Sequence, residues 1–253
     1  MSTDIKDQKQ EAKESLVKEM FRAGVHYGYS RRGRHPSVES FIFGYKNRGA
    51  IIDIEKTVDE LDKVLDFVRG LARDRKQILF VGTKPEARET VEKIAKQIEM
   101  PFVNLRWIGG SLTNFKEIRK RIAKLADWKD KGEKGELAVY TKKERLLISR
   151  EVEDLERLFG GITNMPKTPA AMFVIDPKKE QIAVDEARVM KVPVIALSNS
   201  DCNINGLAYP LVANDASGTS INFFLQQIAL AYKEGLLASV APVVAPATTP
   251  SAQ

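Results

Sequence analysis

A chain of 253 residues with 43% hydrophobic and 29% charged side chains is long enough for one large domain, or for one domain with an inserted subdomain. Its formal charge of +6 is consistent with polyanion binding without requiring it, and its single cysteine, Cys202, excludes an internal disulfide and any multi-cysteine zinc site and fits a reducing compartment. Met1 to Ser15 is polar and carries Asp4, Asp7, Glu11 and Glu14, so it fits neither a signal peptide nor a transit peptide, and no apolar run is long enough to span a bilayer.

Residues 1–15 read as a flexible lead-in. Leu16, Val17, Met20 and Phe21 then take helical spacing, which Gly24 and Gly28 end. Arg31-Arg32-Gly33-Arg34-His35-Pro36 comes next as a compact basic loop with no acid inside it. Phe41-Ile42-Phe43-Gly44-Tyr45 and Gly49-Ala50-Ile51-Ile52 read as strands, and Asn47-Arg48-Gly49 between them is turn chemistry, so a β-hairpin is predicted. An amphipathic helix is expected over 53–74, with Val58, Leu61, Val64, Leu65, Val68 and Leu71 on one face. Ile78-Leu79-Phe80-Val81 is wholly apolar, as in a strand buried on both faces. Pro85 suits the first turn of a helix running to about Glu99, and Met100-Pro101-Phe102-Val103 begins the next strand.

The stretch Arg106-Trp107-Ile108-Gly109-Gly110-Ser111-Leu112-Thr113-Asn114-Phe115 separates two kinds of sequence. Its glycines permit a sharp turn, Asn114 with Glu117 has the form of a helix N-cap and its return partner, and Trp107 is expected to pack against the base of the next helices. Beyond it, Phe115, Ile118, Ile122 and Leu125, then Ile148, Val152, Leu155 and Phe159, recur in steps of three and four, which are narrow coiled-coil seams. Lys129 to Gly135 connects them, and Thr141-Lys142-Lys143-Glu144 is a capping box. Folded back on each other, the two helices would reach ~20–30 Å from the body at about 1.5 Å per residue.

The strand–helix pattern then resumes. Ala171 to Ile175 is a strand ending at Asp176-Pro177, Glu180 to Val189 a helix, and Val192 to Leu197 a strand. A polar loop from Ser198 to Gly206 leads to Leu211-Val212 and a helix from about Thr219 to Lys233. From Leu236 onward there is no charged residue, a composition that predicts a disordered tail. The whole predicts a doubly wound α/β fold, a mainly parallel sheet with helices on both faces, built from 16–112 and 161–235. Residues 113–160 form an inserted antiparallel helical hairpin, a coiled coil, and 236–253 the tail.

Open parallel sheets bind ligands beyond the carboxyl ends of their strands. Gly82-Thr83-Lys84, Asp176-Pro177-Lys178 and Ser198-Asn199-Ser200-Asp201 are the corresponding loops, so a nucleotide- or sugar-phosphate-binding enzyme is the alternative to weigh. Neither G-x-x-x-x-G-K-[ST] nor G-x-G-x-x-G follows a strand, and Lys84 reads as a solvated helix-start residue. Cys202 reads as a small hydrophobe, and His26 as packed at the end of the first helix. Two histidines and scattered acids offer no metal-ligand spacing; Asp201 and Asp215 would touch a cation only if their loops converge. No catalytic residue, metal or cofactor is expected.

The basic groups make better sense as a nucleic-acid surface. Arg31, Arg32, Arg34 and His35 share one loop, Lys46 and Arg48 sit at the hairpin turn, Arg106 begins the glycine-bearing stretch, and Lys116, Arg119 and Lys120 open the next helix. Arginine's planar donors grip two phosphate oxygens at once. Taken alone, Lys116 to Lys124 reads as a solvated helix face, whereas cations in a loop without an acidic partner repel one another. With no RNP-like motif and no aromatic stacking ladder, recognition of backbone and shape is expected.

The stretch from Arg106 to Phe115 resembles the signature of the bacterial-type small-subunit ribosomal protein S2 family. Other pieces agree in order: Ala23-Gly24-Val25-His26-Tyr27-Gly28, Asp53-Ile54-Glu55-Lys56-Thr57, Ile78 to Lys84, Thr141 to Glu144, Gly160-Gly161-Ile162, Val174-Ile175-Asp176-Pro177 and Ala183 to Ala187. The resemblance covers roughly Leu16 to Gly235. It implies a non-enzymatic constituent of the small ribosomal subunit in the cytoplasm, at the head–body junction, with no membrane partner. The implied partners are ribosomal RNA and neighbouring small-subunit proteins, including the largest, which captures messenger RNA. Two departures stand out. Gly28-Tyr29 stands where the family usually has Gly-His. Ser198 to Cys202 and Asn214-Asp215-Ala216 stand where it usually has Asp-Thr-Asn-Cys-Asp and Asn-Asp-Asp, which removes acidic donors from any cation site there.

Overall fold

The computed structural model describes residues 13–240. Helix α1 (13–22) is tied to α2 (Ile54–Arg73) by the Lys13 ammonium, 2.6 Å from Asp59. Between them lies a small antiparallel sheet of β1 (Tyr27–Ser30), β2 (Ile42–Lys46) and β3 (Gly49–Ile52), in the order β1-β3-β2. The predicted hairpin is β2–β3. Asn47 and Arg48 have φ of 49° and 68°, the pair of positive values that a two-residue type I′ turn needs. Strand β1 is not foreshadowed by apolar alternation, and its Gly28 does not end a helix. A Cβ at Gly28 would lie 3.1 Å from Ala50 Cβ and 3.2 Å from Ser200 Oγ, so glycine lets this strand seat against the body. The basic loop is short 3-10 turns, Arg31–Gly33 and Pro36–Phe41.

The main sheet contains β4 (Ile78–Val81), β5 (Phe102–Val103), β6 (Ala171–Ile175), β7 (Val194–Ser198) and β8 (Tyr209–Val212). Their order is β5-β4-β6-β7-β8 and every pair is parallel. Alternate residues feed two cores. Ile78, Phe80, Phe173, Ile175 and Leu197 meet α2, α3 (Pro85–Gln97) and α7 (Gly218–Val240). Leu79, Val81, Met172, Val174 and Ala196 meet α6 (Gln181–Val189) and the roots of α4 (Phe115–Glu133) and α5 (Lys142–Phe159). Helices on both faces make the sheet doubly wound.

Helix starts obey local chemistry. Asp53 caps α2 by accepting from the N–H groups of Glu55 and Lys56, a contribution of about 1 kcal/mol. Thr141 and Glu144 form the predicted capping box of α5. Asn114 departs from expectation: it stands at the start of α4 but its side chain caps nothing, and Glu117 bonds Lys120 at 2.7 Å instead of reaching back.

Helices α4 and α5 lie between β5 and β6 in the chain. Phe115 and Ile118 at the start of α4 share the second core with Phe159 and Leu158 at the end of α5, so the chain leaves and returns at one place. Lys129 meets Glu156 at 2.7 Å, and Lys124 meets Glu151. Helix α7 reaches Val240, so residues 236–240 of the expected tail are helical, because Leu236 packs on the first core. The remainder of that tail, and residues 1–12 of the lead-in, lie outside the described residues. Among the described residues no helix is long and apolar enough to cross a membrane.

Candidate nucleic-acid interface

The chain order reverses between β4 and β6, and the crevice beyond their carboxyl ends is where a doubly wound sheet would hold a ligand. Here the protein fills it. Lys84, close after β4, puts its ammonium 2.6 Å from Asp176 and 2.7 Å from Asp215, with only 13% of the side chain exposed. Lys84 is therefore not the solvated residue expected from sequence. Burial works against its charge, but the hydrogen bonds to Asp176 and Asp215 outweigh that and raise its pKa above the ordinary value. Asn199 donates to the other oxygen of Asp215 at 2.9 Å, and Asp176 accepts from the N–H groups of Lys178 and Lys179. Thr83 donates to buried Glu180, and Lys178 pairs with Asp201 at 2.8 Å.

Strand β1 closes the crevice from above. The Tyr29 N–H donates to Ser200 Oγ at 2.8 Å, the His35 N–H donates to the Ser200 carbonyl at 2.9 Å, and the Tyr29 ring centroid lies 5.9 Å from the Lys84 nitrogen. Cys202 is buried beneath, 3.7 Å from Asp176 Oδ1, and burial with nearby carboxylates pushes its thiol pKa up, away from nucleophilic use. The loops of Asp201 and Asp215 converge on lysine ammonium groups. Among the described residues no cluster of three or more His, Cys, Asp or Glu could hold a metal ion.

The stretch from Arg106 to Thr113 is organised by a residue that the sequence pattern does not single out. Glu186 of α6 accepts from five donors: Trp107 Nε1 at 3.1 Å, the N–H groups of Gly110, Leu112 and Thr113 at 2.7, 2.9 and 3.2 Å, and the Thr113 hydroxyl at 3.2 Å. Burial opposes the Glu186 charge, yet these donors prevail and hold its carboxyl below the ordinary glutamate range. Gly110, at φ 89°, gives the turn that aims these amides inward. Donors that could have served an anionic ligand are thus spent inside the fold. The sequence signals of Glu186 are its place in the Ala183 to Ala187 piece of the family resemblance and an acidic side chain next to Asp185 in an amphipathic helix.

The ten predicted binding residues fall into distinct groups. Ser30 pairs with Gly49 across the small sheet and the Arg31 N–H donates to the Arg48 carbonyl at 3.2 Å. That juxtaposes Arg31 and Arg32 with Lys46 and Arg48 on one edge, all four exposed. Arg34 is not the unanswered cation expected: it meets Glu39 at 2.9 Å, and the Tyr45 hydroxyl at 3.0 Å. His35 turns inward as the cap of Pro36–Phe41, its Nδ1 accepting from the Ser37 N–H at 3.2 Å. Arg106 stands exposed beside the Glu186 loop. Lys116, Arg119 and Lys120 are exposed on α4, Lys120 paired with Glu117. The His26 ring is buried in a stack with Phe21, its centroid 4.3 Å away, in the packed role expected of it.

A five-stranded parallel sheet with helices on both faces, its switch-point crevice filled by its own ion pairs and a basic edge on an added sheet, defines a doubly wound α/β protein. Residues 20–235 match the family model of ribosomal protein S2. Similar proteins are each named small ribosomal subunit protein uS2. That of Salinispora arenicola is 42% identical over 223 residues, 88% of this chain and 80% of its own length. Those of Micrococcus luteus and Helicobacter acinonychis are each 39% identical, covering 88% and 87% of this chain and 78% and 89% of their own lengths. The chain belongs to the ribosomal protein S2 family, which comprises structural proteins of the small ribosomal subunit that serve translation and are not enzymes.

Proposed function

We propose that the chain works in the cytoplasm as a structural constituent of the small subunit that binds ribosomal RNA near the head–body junction. In this reading it also supports docking of the largest, messenger-capturing small-subunit protein. Its body is 16–112 with 161–235, and 113–160 is a coiled-coil arm. The RNA-binding groups are Arg31, Arg32, Lys46 and Arg48 at the centre, flanked by Arg34 and His35, with Arg106, Lys116, Arg119 and Lys120 as further contacts. One observation carries the reading: the Arg31–Arg48 backbone bond welds two basic segments into one exposed edge, and among the described residues none of its four cations has an ion-pair partner. Cations gathered without acids raise the local potential and favour a phosphate backbone. The crevice that an enzyme would use is meanwhile filled by Lys84, Asp176 and Asp215.

The test is incorporation. Arg31→Ala/Arg32→Ala should lose to the unaltered chain when both compete for assembling small subunits. Raising salt should weaken free-RNA binding by both proteins, and more steeply for the unaltered chain, which has more phosphate contacts to lose. Neutralising ~6 phosphates makes affinity fall on the order of a thousandfold between low and moderately raised salt. Equal incorporation of the two proteins would sink the basic-edge reading.

A further inference from the structure

The small sheet presents a second set of groups to solvent, and the basic edge does not account for it. Phe43 is 79% exposed and Tyr27 61%, and Phe21, at the end of α1 beside the sheet, is 61% exposed. They are not scattered. Ile51 pairs with Tyr27 on one side and with Gly44, the neighbour of Phe43, on the other, so the two rings flank Ile51 across the sheet. The register slips between Ile42 and Gly44, which leaves Phe43 as an extra residue in a bulge. The buried His26 ring joins Tyr27 to Phe21 on the other flank: its centroid is 4.0 Å from that of Tyr27, and it stacks on Phe21 with 5° between planes.

Exposed apolar rows of this kind mark a surface that another molecule covers. The rim says which. Lys46 lies two residues beyond Gly44 on the same strand, Arg48 lies in the turn after it, and the Arg31 N–H is bonded to Arg48. Among the described residues, no acid pairs with Arg31, Arg32, Lys46 or Arg48. Planar rings beside unanswered cations complement nucleic acid, with phosphates on the cations and a base on the ring. We propose that Phe43 and Tyr27 stack unpaired bases of RNA whose backbone lies along the Arg31–Arg48 edge. This rests on the reading of that edge as an RNA contact, and it changes the recognition from backbone alone to backbone plus unpaired bases. The bulge has a function in this account: it lifts Phe43 out of the pleat, where a base can be met without rearranging the sheet. Duplex RNA, with its bases already stacked, has nothing to offer the row.

The experiment uses the full chain and two probes of equal length: a single-stranded RNA carrying 2-aminopurine, and a fully paired RNA duplex. Phe43→Ala should weaken binding to the single strand roughly tenfold, within the range measured for base–aromatic stacking, and abolish the quenching of 2-aminopurine. Duplex affinity and the slope of log affinity against log salt should stay unchanged, because no phosphate contact is lost. Phe43→Leu keeps apolar bulk without a ring and should behave as Phe43→Ala does. The position is exposed, so the urea midpoint should not move in either variant. If Phe43→Ala and Phe43→Leu bind the single strand as the unaltered chain does while Arg31→Ala/Arg32→Ala binds weakly, stacking is overturned and the basic edge stands. If Arg31→Ala/Arg32→Ala also binds normally, both readings fall. A Phe43→Ala chain that binds RNA normally but no longer enters small subunits would assign the row to a protein contact and overturn the proposal.

Discussion

At the carboxyl ends of the main sheet, charged side chains are answered from within: Lys84 by Asp176 and Asp215, Lys178 by Asp201, Glu180 by Thr83. Along the edge of the small sheet, Arg31, Arg32, Lys46 and Arg48 have no acidic partner among the described residues, and Arg31 lies only over the Tyr45 ring, 5.1 Å from its centroid. The two regions touch, through the hydrogen bonds of Tyr29 and His35 to Ser200, yet they treat charge in opposite ways. A buried charge must be paired, since an unpaired one costs several kcal/mol, so the first region reports on folding. An exposed cation loses little by standing alone, so a cluster of them reports on what lies outside. In this fold the crevice that the α/β architecture offers is filled by its own ion pairs, and the exposed cations without an acidic partner stand on the appended sheet.

The sharpest way to break that division is to remove the internal cation. Lys84→Met leaves Asp176 and Asp215 facing one another without their shared partner, and should destabilise the fold by about 3–5 kcal/mol in urea unfolding. The salt dependence of RNA binding by the folded fraction should not change. A loss under about 1 kcal/mol, or a shallower salt slope, would mean that Lys84 faces outward in use and that the crevice is not closed.

Glu186→Gln should come next, at about 2 kcal/mol at neutral pH, because an amide can accept from some of the five donors but turns an NH2 toward the rest. The pH dependence has a definite sign. A carboxyl held below its ordinary value binds a proton less readily when folded than when unfolded, so its contribution is complete above the ordinary value of 4.5 and is lost as pH falls through the lower folded value. The gap between the unaltered chain and Glu186→Gln should therefore close on acidification. A gap constant with pH would show that shape and not charge holds the Arg106–Thr113 loop.

These two residues also show what sequence does and does not carry. The apolar runs Ile78–Val81 and Ala171–Ile175 announce buried strands because every residue contributes to one of two cores, and that information is local. The capping box at Thr141 is legible for the same reason. Lys84 and Glu186 are not, because their partners are 131 and 79 residues away along the chain at the farthest: both lie in pieces that carry the family resemblance, but their local pattern is that of solvated helix charges. Strand β1 is hidden because Tyr-Gly-Tyr-Ser is only four residues long, contains a glycine and buries none of its side chains; it is a strand because β3 and Ser200 receive it. The basic edge is half legible. Sequence names its cations, but only the fold removes Arg34 by pairing it with Glu39 and brings Arg48 to Arg31.

Arg48→Gly gives the smallest effect on folding and the cleanest test of the contrast. Arg48 sits at φ 68°, and the second position of a type I′ turn after asparagine is the place where glycine is preferred. A side chain in the left-handed region costs ~1–2 kcal/mol, and glycine gives back part of that gain through its greater freedom when unfolded. The variant should therefore be more stable by about 0.5–1 kcal/mol. It should also bind RNA more weakly, with the salt slope reduced by about 0.9 for the loss of one phosphate contact on a duplex. Opposite movements of stability and affinity would mark Arg48 as a residue kept for its partner at the expense of the turn. A variant that gains stability and keeps its full salt slope would remove Arg48 from the interface and leave the edge to Arg31, Arg32 and Lys46.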